Sequence, residues 1–274
     1  MNKLLITAAL ALSALTAQAQ SNVQIYGTVD AAGVYQSNSL GKNTNSISSG
    51  GLTPSRIGFK GTEDLGNGNA AFFVIEQGFE VDTNSTFTSR QTLVGLKNTK
   101  AGALSLGRQY SPGYLASADY DAIGTSAFGV QQVLSSLAGF TAAVNDNGRW
   151  NNTINYVSPT FYGLEVSAMY RAGEQVNVAG TSDRTTLEGY ATGLKYVRGN
   201  FATTYVYQFT ETSANGVAPV VLNGGQQREN FLGASYNFAV VKLVGAYQNS
   251  DWDKNGTGNG SKNHLYTVGV IVPV

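Results

Sequence analysis

Charge is scarce in this chain, so the few ionisable side chains mark where chemistry could be done. Of 274 residues, 17 are Lys or Arg and 17 are Asp or Glu. There is no Cys, and the one His is His264. Disulfides, thiolate metal sites and Cys nucleophiles are therefore excluded, and little remains for a metal or acid–base constellation. What the charges can do is non-covalent. Opposed clusters of basic and acidic side chains sort ions by sign when a narrow, poorly screened space brings them together. The basic candidates are Arg56, Lys60, Arg90, Arg108 and Arg149, and the acidic candidates facing them are Asp119, Asp121, Glu76 and Asp30. No cofactor and no metal are expected.

Other motifs fail on their context. Gly66-x-Gly68-x-x-Ala71 opens a strand pattern, so it offers no helix N-terminus to a dinucleotide phosphate. Asp251-x-Asp253-x-Asn255-Gly256 begins like a calcium loop, but its twelfth position is Lys262 where a bidentate Glu is needed. His264 follows Asn263 at a strand start, with no Ser or orienting partner identifiable for a hydrolase. A net charge near zero excludes a strongly electrostatic nucleic-acid binder.

The elements that must position the candidates follow from the period of the pattern. Ser55, Ile57, Phe59 and Gly61 alternate with Arg56, Gly58, Lys60 and Thr62. Ala71, Phe73, Ile75, Gln77 and Phe79 alternate with Phe72, Val74 and Glu76. This period of two marks half-buried strands. Twelve such segments run at 22–35, 54–62, 69–80, 89–97, 103–110, 149–157, 163–171, 186–197, 201–211, 229–237, 241–249 and 263–274. Short connections (63–68, 98–102, 158–162, 198–200, 238–240) alternate with long polar ones (36–53, 81–88, 111–148, 172–185, 212–228, 250–262). One rim of tight turns and one of long loops is the asymmetry of a transmembrane β-barrel.

Three features favour a membrane barrel over a soluble sandwich. The strands are about ten residues, enough to cross hydrocarbon on a tilt, where soluble strands are typically about five or six. The apolar face is nearly free of charge, while Arg56, Lys60, Glu76, Lys97, Glu165, Arg171 and Lys195 share the other. A basic side chain facing lipid at mid-depth costs about 2–4 kcal/mol, so this segregation has an energetic reason. Tyr35, Phe79, Tyr110, Tyr156, Tyr170, Tyr207, Tyr236 and Tyr247 fall near strand ends, as interfacial girdles do. Mean hydropathy is −0.11, and no apolar run after the N-terminus is long enough for a spanning helix. The front of the chain, 1–19, has Lys3, an apolar stretch from Leu4 to Leu15 and Ala17-Gln18-Ala19, so it reads as a cleaved export signal ahead of a barrel domain at 20–274.

The residues then carry a resemblance. Val23-Gln24-Ile25-Tyr26-Gly27-Thr28-Val29-Asp30-Ala31, Gly50-Gly51-Leu52-Thr53-Pro54-Ser55-Arg56-Ile57-Gly58-Phe59-Lys60-Gly61-Thr62-Glu63-Asp64-Leu65-Gly66, Arg90-Gln91, Leu106-Gly107-Arg108-Gln109-Tyr110-Ser111-Pro112 and Tyr156-Val157-Ser158-Pro159 resemble the general porins of Gram-negative outer membranes, in their neisserial and β-proteobacterial form. The resemblance implies an all-β, antiparallel transmembrane barrel in outer-membrane lipid, passing small hydrophilic solutes and anions by passive diffusion, and usually a homotrimer. It implies a third long loop, here 111–148, folded inward to narrow the channel, with Asp119 and Asp121 on it. It places Arg56 of Ser-Arg-x-Gly in the constriction. Arg90 matches a Gly-Arg-Gln text in which Ser89 replaces the Gly. Basic wall charge implies a weak anion preference. In that loop Leu115, Ile123, Phe128, Val130, Val133, Leu134, Leu137 and Phe140 suggest a packed interior position. Arg108 shares the parity of Leu104 and Leu106, so it belongs beyond the apolar band or after a bulge.

One departure stands out. Family barrels have sixteen strands and usually end on an aromatic residue, whereas this chain ends Gly269-Val270-Ile271-Val272-Pro273-Val274. The expectation is a chain shortened at its C-terminus by about four strands, or else a smaller twelve-stranded closure, since even strand numbers occur. The rival functions are a non-conducting structural or adhesive barrel and, more remotely, a barrel hydrolase.

Overall fold

The protein is described here by a computed structural model covering residues 22–37, 43–124, 129–137, 140, 148–177, 184–215, 225–253 and 260–272. The expected export segment, 1–19, lies outside these residues, as do Phe128, Asn255 and Gly256. The chain folds into one twelve-stranded sheet built almost wholly from neighbours in sequence. β1 (Asn22–Thr28) pairs with β4 (Arg56–Gly66), followed by β5 (Asn69–Gly78), β6 (Thr88–Asn98), β7 (Gly102–Tyr110), β8 (Arg149–Val157) and β9 (Leu164–Asn177). The wall continues through β10 (Arg184–Arg198), β11 (Phe201–Asn215), β12 (Gly225–Asn237), β13 (Lys242–Asp253) and β14 (Ser261–Ile271). Every pairing is antiparallel. Among the described residues, β1 pairs only with β4 and β14 only with β13.

The first expected strand is divided. Val29 and Asp30 leave the ladder, and β2 (Ala31–Ser37) pairs with β3 (Asn43–Ser49) as a separate hairpin within what reads as a loop. Asp30 explains the break. Its amide donates to Ser55 Oγ, and its carboxylate accepts from the amides of Gly51, Leu52 and Thr53. The carboxylate thereby ties the return of the hairpin to the start of β4, where Arg56 stands.

The two faces of the wall differ as the alternation requires. Outward residues include Ile25, Ile57, Leu106, Leu194, Leu232 and Val268, all exposed in the isolated chain. Exposed rings stand at the short-turn end of the wall, namely Phe161, Tyr162, Tyr236 and Phe238, and in mid-strand, namely Tyr170, Tyr190 and Tyr266. Many inward positions are polar or small, such as Gln208, Thr204, Glu229, Ser250, Ala191 and Gly193, with Val206 and Phe231 buried among them. Neither helix among the described residues is long and apolar enough to cross a membrane.

Both helices belong to the connection between β7 and β8. α1 (Pro112–Asp119) and α2 (Val130–Leu137) are eight residues each. Ser111 caps α1 by accepting from the Tyr114 amide, and Pro112 fits a first turn because its missing N–H would have no partner there. The Ser111 amide donates to Gly148 O at 2.9 Å, closing the base of the loop.

Candidate functional site

The loop between β7 and β8 lies against the inner face of the wall. Wall positions beneath it are small enough to admit it; a Cβ on Gly233 would overlap the Tyr120 ring. Gln208 Oε1 accepts from the Gly113 amide at 2.8 Å, and the Tyr120 and Thr204 hydroxyls meet at 2.9 Å. Farther along, Gln131 Nε2 and Ser135 Oγ both donate to Gln248 Oε1, at 2.9 and 2.8 Å, and Thr267 Oγ1 donates to Gln131 Oε1 at 2.7 Å. The loop is therefore bound by hydrogen bonds to a polar wall. The apolar packing expected of it is met in part, and largely by other residues: Ala116 and Tyr120 cluster with Val206, Phe231 and Ala246 of the wall. Leu115, Ile123, Val130 and Leu134 are exposed and Val133 is half-buried, while Tyr114, Ala116, Tyr120, Gln131 and Ser135 are buried with Phe140. The wall it meets carries amides and hydroxyls beside Val206 and Phe231, so polar, small and aromatic loop residues make the fit. Leu137 lies in α2, and its side chain is outside the described set.

Three of the sequence candidates meet beside the loop's base. Glu76 of β5 is buried, with Arg90 Nε at 2.6 Å from one carboxylate oxygen and Arg56 Nε at 3.8 Å from the other. The Tyr26 hydroxyl donates to Glu76 at 3.0 Å, and Arg90 also donates to the Tyr110 hydroxyl at 2.8 Å. Arg56 is steadied from its other side by Thr53 Oγ1 and Pro54 O. The buried guanidinium of Arg149 lies over the Tyr110 ring, 5.2 Å from its centre, so a fourth candidate joins through that ring. Tyr110 in turn stacks on Tyr114 of α1, with ring centres 4.4 Å apart.

Arg90 reaches this cluster through a bulge. Glu76 faces Gln91 and Gln77 faces Ser89, leaving Arg90 as the extra residue of β6. Strict alternation from Val94 and Leu96 would turn it outward, and the bulge turns it in. A second irregularity, between β7 and β8, carries Asn152 at φ 52° and swings Trp150 into a buried cluster with Met169 and Ala191.

The remaining candidates stand elsewhere. Lys60 is on the inner face of β4, with its ammonium over the Tyr26 ring. Arg108 keeps the parity of Leu106 and lies near the long-loop end of β7. Its guanidinium donates to Ser89 O, Arg149 O and Asn151 Oδ1, so it braces the rim and does not join the cluster. Asp119 pairs with Lys195 of β10 at 2.7 Å. Asp121 accepts from the amides of Ile123 and Gln131, the latter in the first turn of α2. The acid facing the arginines is thus the wall residue Glu76, and the two loop carboxylates serve other partners. Sequence reasoning did not single out Tyr26 or Gln248, and it expected Tyr110 in the interfacial girdle, whereas that ring meets Arg90, Glu76 and Tyr114 on the inner side. Tyr26 shares the inward parity of Gln24 and Thr28, which could have marked it. His264 is exposed on the outward side, its Nδ1 3.0 Å from the Tyr247 hydroxyl.

An antiparallel wall with an apolar outside and a polar inside, narrowed by a loop bound to its inner face, is the form of a membrane barrel pore. The Gram-negative porin family matches residues 7–274, and the chain belongs to that family of outer-membrane channels. It is 31% identical to outer membrane porin protein 32 of Delftia acidovorans over 281 residues, spanning all of this chain and 76% of that protein. It is 29% identical to an outer membrane porin protein of Bordetella pertussis, spanning all of this chain and 74% of that one. Among solved structures it resembles an anion-selective porin from Comamonas acidovorans, with a TM-score of 0.78 and 28% identity over 93% of this chain and 75% of that chain. The protein is a porin of the cell outer membrane.

Proposed function

We propose that this porin passes small hydrophilic solutes with a preference for anions, and that Arg56, Arg90 and Arg149 beside Glu76 set that preference. The observation that carries the reading is the charge count at the loop's base. Two guanidinium groups, those of Arg56 and Arg90, flank the single carboxylate of Glu76 on the inner wall, so this trio is held together by Glu76 and keeps a surplus positive charge, with Arg149 beside it over the Tyr110 ring. In a narrow bore such surplus charge favours the opposite ion. The likeness to a porin described as anion-selective supports the same sign. Lys60 adds to the positive side of the wall. Homotrimeric assembly is part of the same proposal and is read by cross-linking in lipid.

Reversal potentials across a planar bilayer under a potassium chloride gradient test the preference. Chloride should be the more permeant ion. Arg56→Gln should lower the anion-to-cation ratio by about fivefold, the factor that ~1 kcal/mol gives and that a unit charge exerts at ~4 Å in water. Equal or greater cation permeability in the unaltered protein would overturn the proposal.

A further inference from the structure

A second cationic site lies on the inner wall, farther toward the short-turn rim than the arginines. Phe72 of β5 stands opposite Thr62 of β4 and Gly95 of β6. Lys60 and Lys97 are the next inward residues on those two strands, one displaced toward each rim, so they flank Phe72 diagonally. Both lysines are exposed, and among the described residues neither makes an ion pair. Aromatic faces hold their ammonium groups instead. Lys60 Nζ is 5.2 Å from the centre of the Tyr26 ring, and Lys97 Nζ is 5.9 Å from that of Phe72. Such contacts order a cation without cancelling its charge.

Two glycines make this arrangement possible. A Cβ on Gly58 would overlap the Tyr26 ring, and one on Gly95 would overlap the Phe72 ring. Without those Cβ atoms the rings recline on the wall and leave a concavity of about 420 Å³. Gln24, Lys60, Thr62, Phe72, Val74 and Lys97 line it. Its volume is in the range of small-molecule sites, about 300–1,000 Å³. The lining combines an apolar floor, a reclining ring and two cations that pair with no carboxylate among the described residues. A ligand that satisfies all three has a single negative charge on a flat apolar body.

We propose that this cavity is a transit subsite for aromatic carboxylates, with the carboxylate at Lys97 or Lys60 and the ring against Phe72 and Val74. The inference rests on the reading of the chain as an anion-passing channel, and it adds a class of solute that the arginine cluster does not define. A bare charge cluster would treat acetate and benzoate alike. The ring and floor distinguish them.

Two measurements on the full chain test it, with benzoate and acetate as probes. In equilibrium dialysis of the detergent-folded protein, benzoate should bind saturably and about tenfold more tightly than acetate, one decade in Kd. Phe72→Leu should weaken benzoate severalfold and leave acetate unchanged, Lys97→Gln should weaken both anions severalfold, and Lys97→Arg, which keeps the charge over the ring, should retain benzoate. In a bilayer, benzoate should reduce the chloride current of the unaltered protein and do so less in the two weakened variants. Equal binding of benzoate and acetate, or benzoate binding untouched by both substitutions, overturns the subsite. Chloride conduction without benzoate preference rejects the subsite and keeps the channel. Benzoate binding without chloride conduction rejects the channel and keeps the cavity.

Discussion

Glu76 contacts groups from four other strands: Tyr26 of β1, Arg56 of β4, Arg90 of β6 and Tyr110 of β7. A carboxylate so shared positions several cations at once, which separate surface pairs would not do; exposed pairs are worth about 0–1 kcal/mol and are individually loose. The same neighbourhood constrains Tyr114 on the loop. Burial, reinforced by the Tyr110 hydroxyl and opposed by Arg149 and Arg90, pushes its pKa up to about 12 from the ordinary 10.0. The folded protein therefore keeps the phenol protonated after an unfolded chain would lose it. The contribution to stability is complete below pH ~10 and falls as pH rises toward ~12, by on the order of 2 kcal/mol. An absorbance titration of phenolate should show a late-titrating component that shrinks by one tyrosine in Tyr114→Phe. If the two titrations coincide, the ring is not buried under the loop.

At the scale of elements, the docked loop is the part whose existence is legible in sequence and whose packing is not. Its 38-residue length and its place between two strands mark it as functional. Its apolar residues suggest a greasy seat, but the seat joins Gln208, Thr204 and Gln248 to Val206 and Phe231, so Gln131 and Ser135 share the contact with Ala116 and Tyr120. Gln248→Leu removes the acceptor of both. Each buried donor left without a partner costs about 1–3 kcal/mol, so α2 should loosen from β13. Faster amide exchange across 130–137 and noisier single-channel current are the expected outcomes. Unchanged exchange would mean that Gln131 and Thr267 suffice to hold the helix. The hairpin of β2 and β3 was hidden for a different reason. Asn43–Ser49 is polar nearly throughout and has no alternation to read, and the break before β2 is made by one carboxylate, Asp30, gripping backbone 21 to 23 residues away.

For the whole molecule, the segregation of faces is the organising fact. Leu194 and Lys195 are adjacent in sequence and meet opposite surroundings. The first is exposed on the outward side, and the second pairs with Asp119 of the inward loop. Leu194→Arg should destabilise the barrel by about 2–4 kcal/mol if it sits at mid-depth in lipid. Urea unfolding in phospholipid vesicles measures the loss, and an unchanged midpoint would mean that this face does not meet hydrocarbon.

Sequence alone determined the number of wall strands, their antiparallel order, the side most residues face and the split between tight turns and long loops. These follow from a strict period of two, because a one-residue slip would turn a whole strand inside out and put its charges in lipid. The composition of the constriction was decided by tertiary structure. A bulge turned Arg90 inward, the docked loop committed Asp119 and Asp121 to other partners, and Arg108 found backbone carbonyls at the rim. Bulges and loop docking depend on pairings between residues far apart in the chain, and local alternation carries no record of them.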